Sequence, residues 1–170
     1  MLGEVVKVSP EQSQRLLDFL CQLDDQSEYM LYRPGERKAN GHDLRGHIRC
    51  LRCNSAILAY RVPDVGFVSY LALYGGRQAR DKHVATLSCG TLKDWRSRGI
   101  MHSLWQAGKE FAIAAGLTRI ELTVVMANVE AVQMYSKWGF EFEGVRRASW
   151  SQSGTKNEPF QNEWWMSYGV

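Results

Sequence analysis

The chain has 170 residues, of which 45% are hydrophobic and 23% are charged, and its formal net charge is +3. This length and composition are ordinary for a globular protein, so we expect one domain over residues 1–170 that folds without a disulfide or a metal. The weak charge disfavours a dedicated nucleic-acid-binding protein. Neither a signal-like N-terminus nor an apolar run of ~20 residues is present, which predicts a cytoplasmic protein without a membrane span.

The first half of the chain predicts one strand, two helices and then three strands. The predicted elements are a strand at Gly3–Val8, a helix capped by Ser9, a helix at Asp43–Arg52, and strands at Ser55–Val62, Gly66–Tyr74 and His83–Leu92. Leucines on one face support the first helix, and β-branched runs bounded by turn residues support the strands. The polar segment Asp24–Gly41 between the helices is expected to be a long loop.

The second half predicts a strand–helix alternation that ends in a strand pair. Helices are expected at Gly99–Ala115 and Val129–Trp138, each followed by a glycine, and strands at Arg119–Met126, Phe140–Trp150 and Phe160–Tyr168. Antiparallel strands followed by a β-α-β unit predict an α/β (α+β) fold, in which a mixed, mostly antiparallel central sheet has helices on both faces.

One candidate site lies where the third predicted helix begins, within the stretch Leu87–Met101. Here a strand ends, a basic turn follows, and a helix starts beside Gly99. The first amides of a helix lack internal partners and carry partial positive charge, so they bind phosphate groups well. Arg96 and Arg98 would add charged donors. The same pattern also occurs in turns that only connect a strand to a helix and bind no anion.

A second candidate site combines Asn128, at a strand-to-helix junction, with Tyr135 seven residues later on the same helix face. The tyrosine hydroxyl can donate a proton, and the amide can donate or accept a hydrogen bond. The structural alternative is that Asn128 caps the helix and Tyr135 packs in the core.

Together these stretches resemble the GNAT superfamily of N-acetyltransferases. The family's cofactor motif, Gln or Arg followed by x-x-G-x-G/A, is similar to Arg96–Met101, with Met101 in place of the usual small residue. The family's later run N-x-x-A-x-x-x-Y-x-x-x-G-F is matched by Asn128, Ala131, Tyr135, Gly139 and Phe140. The turn Pro34–Arg37 (PGER) resembles a stretch of bacterial GNAT members.

The resemblance implies a protein that transfers an acetyl group from acetyl-CoA to an amine. The residues that it assigns to the cofactor are Cys89, Gly90, Thr91, Arg96, Ser97, Arg98, Gly99, Ile100, Met101, His102, Asn128 and Tyr135. Backbone groups of the strand would pair with the pantetheine arm, the amides of the turn would hold the pyrophosphate, and Gly90 would mark a distortion that splays the strands. Met101 would have to turn aside or contact the cofactor.

The resemblance also implies catalytic roles. Tyr135 matches the family's proton donor, and Asn128 would orient the pantetheine arm or the acceptor. Glu121, acting through water, is our candidate base, because it shares a strand face with Thr123, where some relatives carry a carboxylate.

The long loop should lie beside the acceptor. Its acidic and aromatic side chains would suit a small cationic amine or a peptide N-terminus, although a solvated loop over packed tyrosines would look the same. The adjacent pair Trp164–Trp165 places one ring on each face of its strand, so we expect one ring at a homodimer contact.

Three other interpretations remain. A catalytically silent acyl-CoA-binding module would tolerate Met101. An RNA-binding protein could use a patch formed by Arg77, Arg80, Lys82, Arg96 and Arg98. A metal site at Cys50 and Cys53 would need further ligands that the spacing does not supply, so we expect no metal.

Overall fold

The structure is a computed structural model that describes residues 3–155 and 158–170. Its centre is a seven-stranded sheet with the order β1-β2-β3-β4-β5-β7-β6. The strands are β1 (Glu4–Lys7), β2 (Ala56–Val62), β3 (Gly66–Gly75), β4 (Val84–Thr91), β5 (Arg119–Val125), β6 (Glu141–Trp150) and β7 (Gln161–Gly169). Every neighbouring pair is antiparallel except β4 and β5, which are parallel. The predicted fold class is confirmed.

Four helices cover the sheet, two on each face. They are α1 (Ser13–Gln26), α2 (Gly41–Arg49), α3 (Ile100–Ala114) and α4 (Val129–Lys137). Adjacent residues of β3 show the two layers, because Tyr70 meets Phe19 of α1 with ring centroids 5.9 Å apart, while Leu71 lies against Gly108 of α3. β3 is therefore buried on both sides.

The ends of the first two helices differ from the predicted ones. The side chain of Gln12 accepts the amide of Ser9 at 2.9 Å, but the turn that begins after Ser9 is a 3₁₀ turn at Pro10–Gln12 that precedes α1. The second helix starts two residues earlier than predicted, because the side chain of Asn40 accepts the amide of Asp43 at 2.9 Å and caps it. Capping chemistry, rather than apolar periodicity, decides these boundaries.

An aromatic cluster joins α3 and α4 to the sheet. Trp105 stacks on Trp138 with centroids 5.0 Å apart and meets Tyr168 of β7 edge-on at 5.1 Å. Phe140 lies 5.4 Å from Trp105 and 5.6 Å from Tyr135. Such contacts stabilise beyond the area that they bury, and they hold the helix that carries Tyr135 rigidly against the sheet.

Candidate active site

A slot opens in the sheet between β4 and β5. The two strands pair at Val84–Arg119 and Ala85–Ile120 and for the last time at Thr86–Glu121, after which they diverge. The expected splay between neighbouring strands is therefore present, and it exposes one edge of β4 from Leu87 onward.

The reason for Gly90 differs from our expectation. Its strand is not distorted there, because β3 and β4 stay in regular register, with Tyr70 opposite Gly90. A Cβ at this position would lie 2.7 Å from Cδ2 of Leu23. The glycine thus permits the close approach of α1 and does not cause the slot.

The backbone of β4 alternates between its two neighbours. The amide of Leu92 donates to the carbonyl of Val68 on β3 at 3.0 Å, and in an antiparallel ladder this leaves the backbone groups of Cys89 and Thr91 directed to the other edge, toward the slot. Gly90 faces β3 instead, where its carbonyl accepts the hydroxyl of Ser69 at 3.0 Å. Of the three predicted residues, Cys89 and Thr91 direct backbone groups toward a pantetheine arm in the slot, and the carbonyl of Thr91 already accepts a hydrogen bond from Nε of Arg96.

The turn between β4 and α3 forms a row of unpaired amides. Ser97 and Gly99 both adopt left-handed backbone, with φ of 57° and 76°, which turns successive N–H groups toward one side. None of the described residues accepts a hydrogen bond from the amides of residues 97–102. A Cβ at Gly99 would meet nothing within 4 Å, so the space beside the turn is open. These features suit a pyrophosphate.

The two guanidinium groups of the turn are anchored by protein contacts. Arg96 donates Nε to the carbonyl of Thr91 at 3.2 Å, and Arg98 lies 4.8 Å from the ring centroid of Trp95. Each arginine keeps further donors free, since a guanidinium carries five N–H groups. The arrangement adds positive charge at the open side of the turn.

Met101 contacts both the core and the cavity. Ile100 is 6% exposed, and Met101 is partly buried and packs against the hydrophobic core. Met101 also lines the cavity, so its unbranched thioether can contact a ligand there. His102 is exposed and lies 3.3 Å from Gln106, beside the open turn.

Tyr135 lies buried at the slot. Its hydroxyl is 3.2 Å from the thiol of Cys89 on β4. Burial and the neighbouring thiol raise the pKa of Tyr135 well above its usual value, and burial raises the pKa of Cys89 to about 11. Tyr135 therefore keeps its proton over the physiological pH range, as a proton donor must.

Asn128 caps α4, as the structural alternative holds. Its Oδ1 accepts the amide of Ala131 at 3.3 Å. The residue also lines the cavity, and its side-chain NH₂ group remains available as a donor. The cap and a role toward a ligand are compatible, because they use different atoms of the amide.

Glu121 is placed poorly for the role that we expected. It sits at the closed end of the slot, opposite Thr86, and accepts Nε of Arg119 at 3.3 Å. Thr123 lines the cavity, whereas Glu121 does not. The geometry does not favour Glu121 as the base.

The cavity at the slot has a volume of about 1630 Å³, which exceeds the ~300–1,000 Å³ of a usual small-molecule site. Its walls include Tyr135 and Met134 on the α3–α4 face of the sheet and Thr123 and Glu163 on the opposite face. The cavity therefore passes through the sheet, and it has room for two substrates that meet in the slot.

The loop predicted at Asp24–Gly41 spans residues 27–40 in the structure and covers this cavity. The hydroxyl of Tyr29 donates to the carbonyl of Ala127 at 3.3 Å, and Arg33 donates to the carbonyl of Ser153 in the β6–β7 connection. The loop thus ties the end of β5 to that connection.

Most acidic side chains near this loop are already bonded to other residues of the protein. Asp24, at the end of α1, is bonded to Arg37 at 2.6 and 3.1 Å. Glu36 accepts the amide of Arg33 at 3.0 Å. Glu28 lines the cavity. The charge argument for a cationic acceptor is weaker than the sequence indicated.

Glu163 on β7 and Arg146 and Trp150 on β6 also line the cavity, and our sequence analysis assigned no role in the site to these three residues. The sequence offered one indication of their role, because Glu163 is a single carboxylate within the aromatic strand NEWWMSY. The convergence of the three depends on the β6–β7 register, which the sequence did not reveal.

Residues 23–140 match the sequence profile of the Acetyltransferase (GNAT) family. The chain belongs to this family. The L-amino acid N-acetyltransferase AaaT of Escherichia coli (strain K12) is 33% identical over 83 residues, which is 48% of this chain and 51% of that protein. The chain thus spans about half the length of this curated relative.

Solved GNAT structures resemble the whole fold. A GNAT-family acetyltransferase from Streptococcus pneumoniae has a TM-score of 0.89 at 20% identity and covers 99% of both chains. A phosphinothricin acetyltransferase from Sinorhizobium meliloti, in complex with AcCoA, has a TM-score of 0.81 at 12% identity, over 100% of this chain and 89% of that one. The fold and the family resemblance are confirmed.

The structure bears on the other interpretations of this GNAT protein. The basic residues proposed as an RNA patch do not form one surface, because Lys82 precedes β4 and Arg96 follows it, about 25 Å away along the strand. Within residues 3–155 and 158–170, no three His, Cys, Asp or Glu side chains gather around a common point. No helix in the described ranges has the length and apolarity of a membrane span. Trp165 is 39% exposed, and the homodimer stays a prediction.

Proposed function

We propose that this GNAT protein transfers the acetyl group of acetyl-CoA directly to a primary amine in the slot between β4 and β5. The observation that carries the proposal is the slot itself, which connects the unpaired amides of residues 97–102 with the buried hydroxyl of Tyr135. Acetyl-CoA supplies a thioester whose acetyl carbon an amine can attack.

Different groups of the protein bind the pyrophosphate, align the pantetheine arm and donate a proton. The amides of the turn and the guanidinium groups of Arg96 and Arg98 bind the pyrophosphate. The free backbone edge at Cys89 and Thr91 aligns the pantetheine arm, and an N–H of this edge stabilises the oxyanion that forms on attack. Tyr135 donates its proton to the departing sulfur, which is the role that the family motif implies.

The acceptor is a primary amine on the face of the sheet covered by α1 and α2. A small cationic amine and a peptide N-terminus are the acceptors that the loop composition favours. The Escherichia coli relative acts on L-amino acids, which adds a third class. Because Asp24 and Glu36 are engaged within the protein, we do not rank a polyamine first.

The test combines binding with turnover. Saturating acetyl-CoA at a hundredfold excess over Kd should stabilise the protein by about 2.7 kcal/mol, and Arg98→Glu should reduce this shift by repelling the phosphates. An amine panel should then release free thiol. Tyr135→Phe should lower kcat by ~10²–10⁴-fold with acetyl-CoA binding nearly unchanged.

Binding without thiol release from any amine would favour the catalytically silent module. An unchanged kcat in Tyr135→Phe would remove this residue from the role of acid.

A further inference from the structure

Glu163 is a buried carboxylate that accepts no hydrogen bond from the residues that the structure describes. It is 7% exposed, and Nη1 of Arg146 lies 3.4 Å from its Oε2. Among the described residues, no side chain or backbone group donates a hydrogen bond to this carboxylate. Buried carboxylates ordinarily accept several, so Glu163 has acceptor capacity for a ligand in the cavity that it lines.

The register of the sheet places Glu163 at the slot, across from the proton donor. Gly90 and Val125 each lie four residues beyond the last β4–β5 pair, and Val125 pairs with Glu163. Strand alternation puts Glu163 on the α1–α2 face, whereas Tyr135 reaches Cys89 on the opposite face. An acceptor amine and a departing sulfur would therefore meet different groups on the two sides of the sheet.

Trp150 contributes a buried donor to the same wall. Its indole N–H is buried and finds no hydrogen-bond partner within the described part of the chain. Trp150 pairs with Gln161, two residues before Glu163, so both side chains lie on one face. The register shifts between Arg146 and Trp150, and such a bulge re-aims the side chains that follow it.

Arg146 completes the cluster with spare positive charge. Its side chain is 48% exposed, and the guanidinium can donate two parallel hydrogen bonds to a carboxylate. A polyamine would meet repulsion from this group. An amine whose neighbouring carbon carries a carboxylate would instead satisfy all three residues.

We propose that Glu163, Arg146 and Trp150 form the acceptor site and select an α-amino acid, with the ammonium group at Glu163 and the carboxylate at Arg146 and the Trp150 indole N–H. This assignment rests on the proposed acetyl transfer. The side chain of the amino acid faces an aromatic and aliphatic wall, which predicts an apolar side chain. This wall comprises Tyr29, Met30, Tyr32, Leu44, Tyr70 and Tyr74.

The proton transfers balance. Glu163 takes one proton from the ammonium, and the free amine nitrogen forms the new C–N bond as the thioester C–S bond breaks. The departing sulfur takes the proton of Tyr135, and the surplus proton of the nitrogen restores the tyrosine. Glu163 returns its proton to solvent, so the products are the N-acetyl amino acid, the free thiol and one proton.

Matched acceptors test whether the acceptor is an α-amino acid. The panel contains L-leucine, L-methionine and L-phenylalanine, each with its amide and its decarboxylated amine, together with spermidine and a tripeptide. Thiol release from acetyl-CoA should show kcat/KM at least tenfold higher for one of these amino acids than for its amide and its amine. Equal or better use of the amines, of spermidine or of the tripeptide would overturn the assignment and leave acetyl transfer intact. Failure of every amine would refute the proposed function itself.

Variants test the residues in the intact chain. Glu163→Gln should lower kcat ~10²–10⁴-fold, and Trp150→Phe should raise KM for the amino acid about tenfold with kcat nearly kept. Arg146→Gln should shift preference from the amino acid toward its decarboxylated amine. Acetyl-CoA binding by thermal shift reports that each variant is folded.

Control variants come from the same sheet outside the cavity. Glu143 is bonded to Arg119 and Ser167, so Glu143→Gln should leave turnover unchanged, as should Trp165→Phe. Loss of turnover in Glu121→Gln together with full activity in Glu163→Gln would assign the base to Glu121 and overturn our proposal.

Discussion

Replacing Arg37 of the PGER turn should cost the protein a large share of its stability. The variant Arg37→Met leaves the carboxylate of Asp24, whose side chain is 2% exposed, without a partner. Its hydrogen bonds are those from Nε and Nη2 of Arg37, at 2.6 and 3.1 Å. The carboxylate also lies in the last turn of α1, where the helix carbonyls disfavour negative charge.

The magnitude follows from these two contacts. Hydrogen bonds to charged groups contribute about 1.5–3 kcal/mol each, and removing one partner of a buried ion pair costs about 3–5 kcal/mol. We therefore expect Arg37→Met to lower the free energy of unfolding by about 3–5 kcal/mol. With an m value of about 2 kcal/mol/M, the urea midpoint would fall by about 2 M.

Urea unfolding at pH 7, followed by tryptophan fluorescence, measures this loss. Lys38→Met is the matched control, because Lys38 is the next residue and is exposed, and it should change the free energy by no more than about 0.5 kcal/mol. The double variant Asp24→Asn/Arg37→Met should be more stable than Arg37→Met alone, since a neutral amide costs less to bury. A loss below about 1 kcal/mol in Arg37→Met, or a double variant that loses the sum of both single changes, would refute this reasoning.

Two further predictions concern titratable groups. Hydrogen bonds from an arginine of β5 and a serine of β7 lower the pKa of Glu143 from 4.5 to about 2, so its stabilising contribution is complete above pH 4.5 and is lost as the pH falls toward 2. The stability difference between the wild type and Glu143→Gln should therefore shrink from pH 5 to pH 3 in denaturant titrations, and a constant difference would contradict the pairing. Cys50 and Cys53 are exposed, whereas burial raises the pKa of Cys89 to about 11. A thiol reagent at pH 8 should therefore modify Cys50 and Cys53 much faster than Cys89, as peptide mass spectrometry can measure. Equal rates of modification would show that water reaches Cys89.

The positions of the amide-rich turn and of Tyr135 were predictable because their determinants are local. The strand, the basic turn and Gly99 stand in one stretch of chain, and Asn128 and Tyr135 are separated by two turns of one helix. Their spacing therefore specifies their relative positions before any tertiary contact forms. The 3₁₀ turn at Lys93–Trp95 escaped prediction, because three residues carry too little periodicity.

The position of Glu121 outside the cavity and the reason for Gly90 could not be predicted from the sequence, because both depend on distant partners. Glu121 and Thr123 share a strand face, as predicted, but the splay of β4 from β5 begins just after Glu121 and leaves it outside the cavity. A glycine is needed at position 90 because the side chain of Leu23, which is 67 positions earlier in the chain, packs against it. Alternation predicts which face a residue occupies, but not which neighbour covers that face.

The sequence by itself determined the fold class, the GNAT family, the amide-rich turn and Tyr135, because periodicity and motif spacing act over short stretches of chain. Only the tertiary structure decided the acceptor side: the slot, the Asp24–Arg37 pair, and the meeting of Glu163 with Arg146 and Trp150. The contacts of Glu163, Arg146 and Trp150 depend on strand register, and a shift of one residue would turn each of these β6 and β7 side chains to the other face. The residues that we propose for acyl transfer thus lie in local motifs, whereas those that we propose for the acceptor come together only through the alignment of the strands.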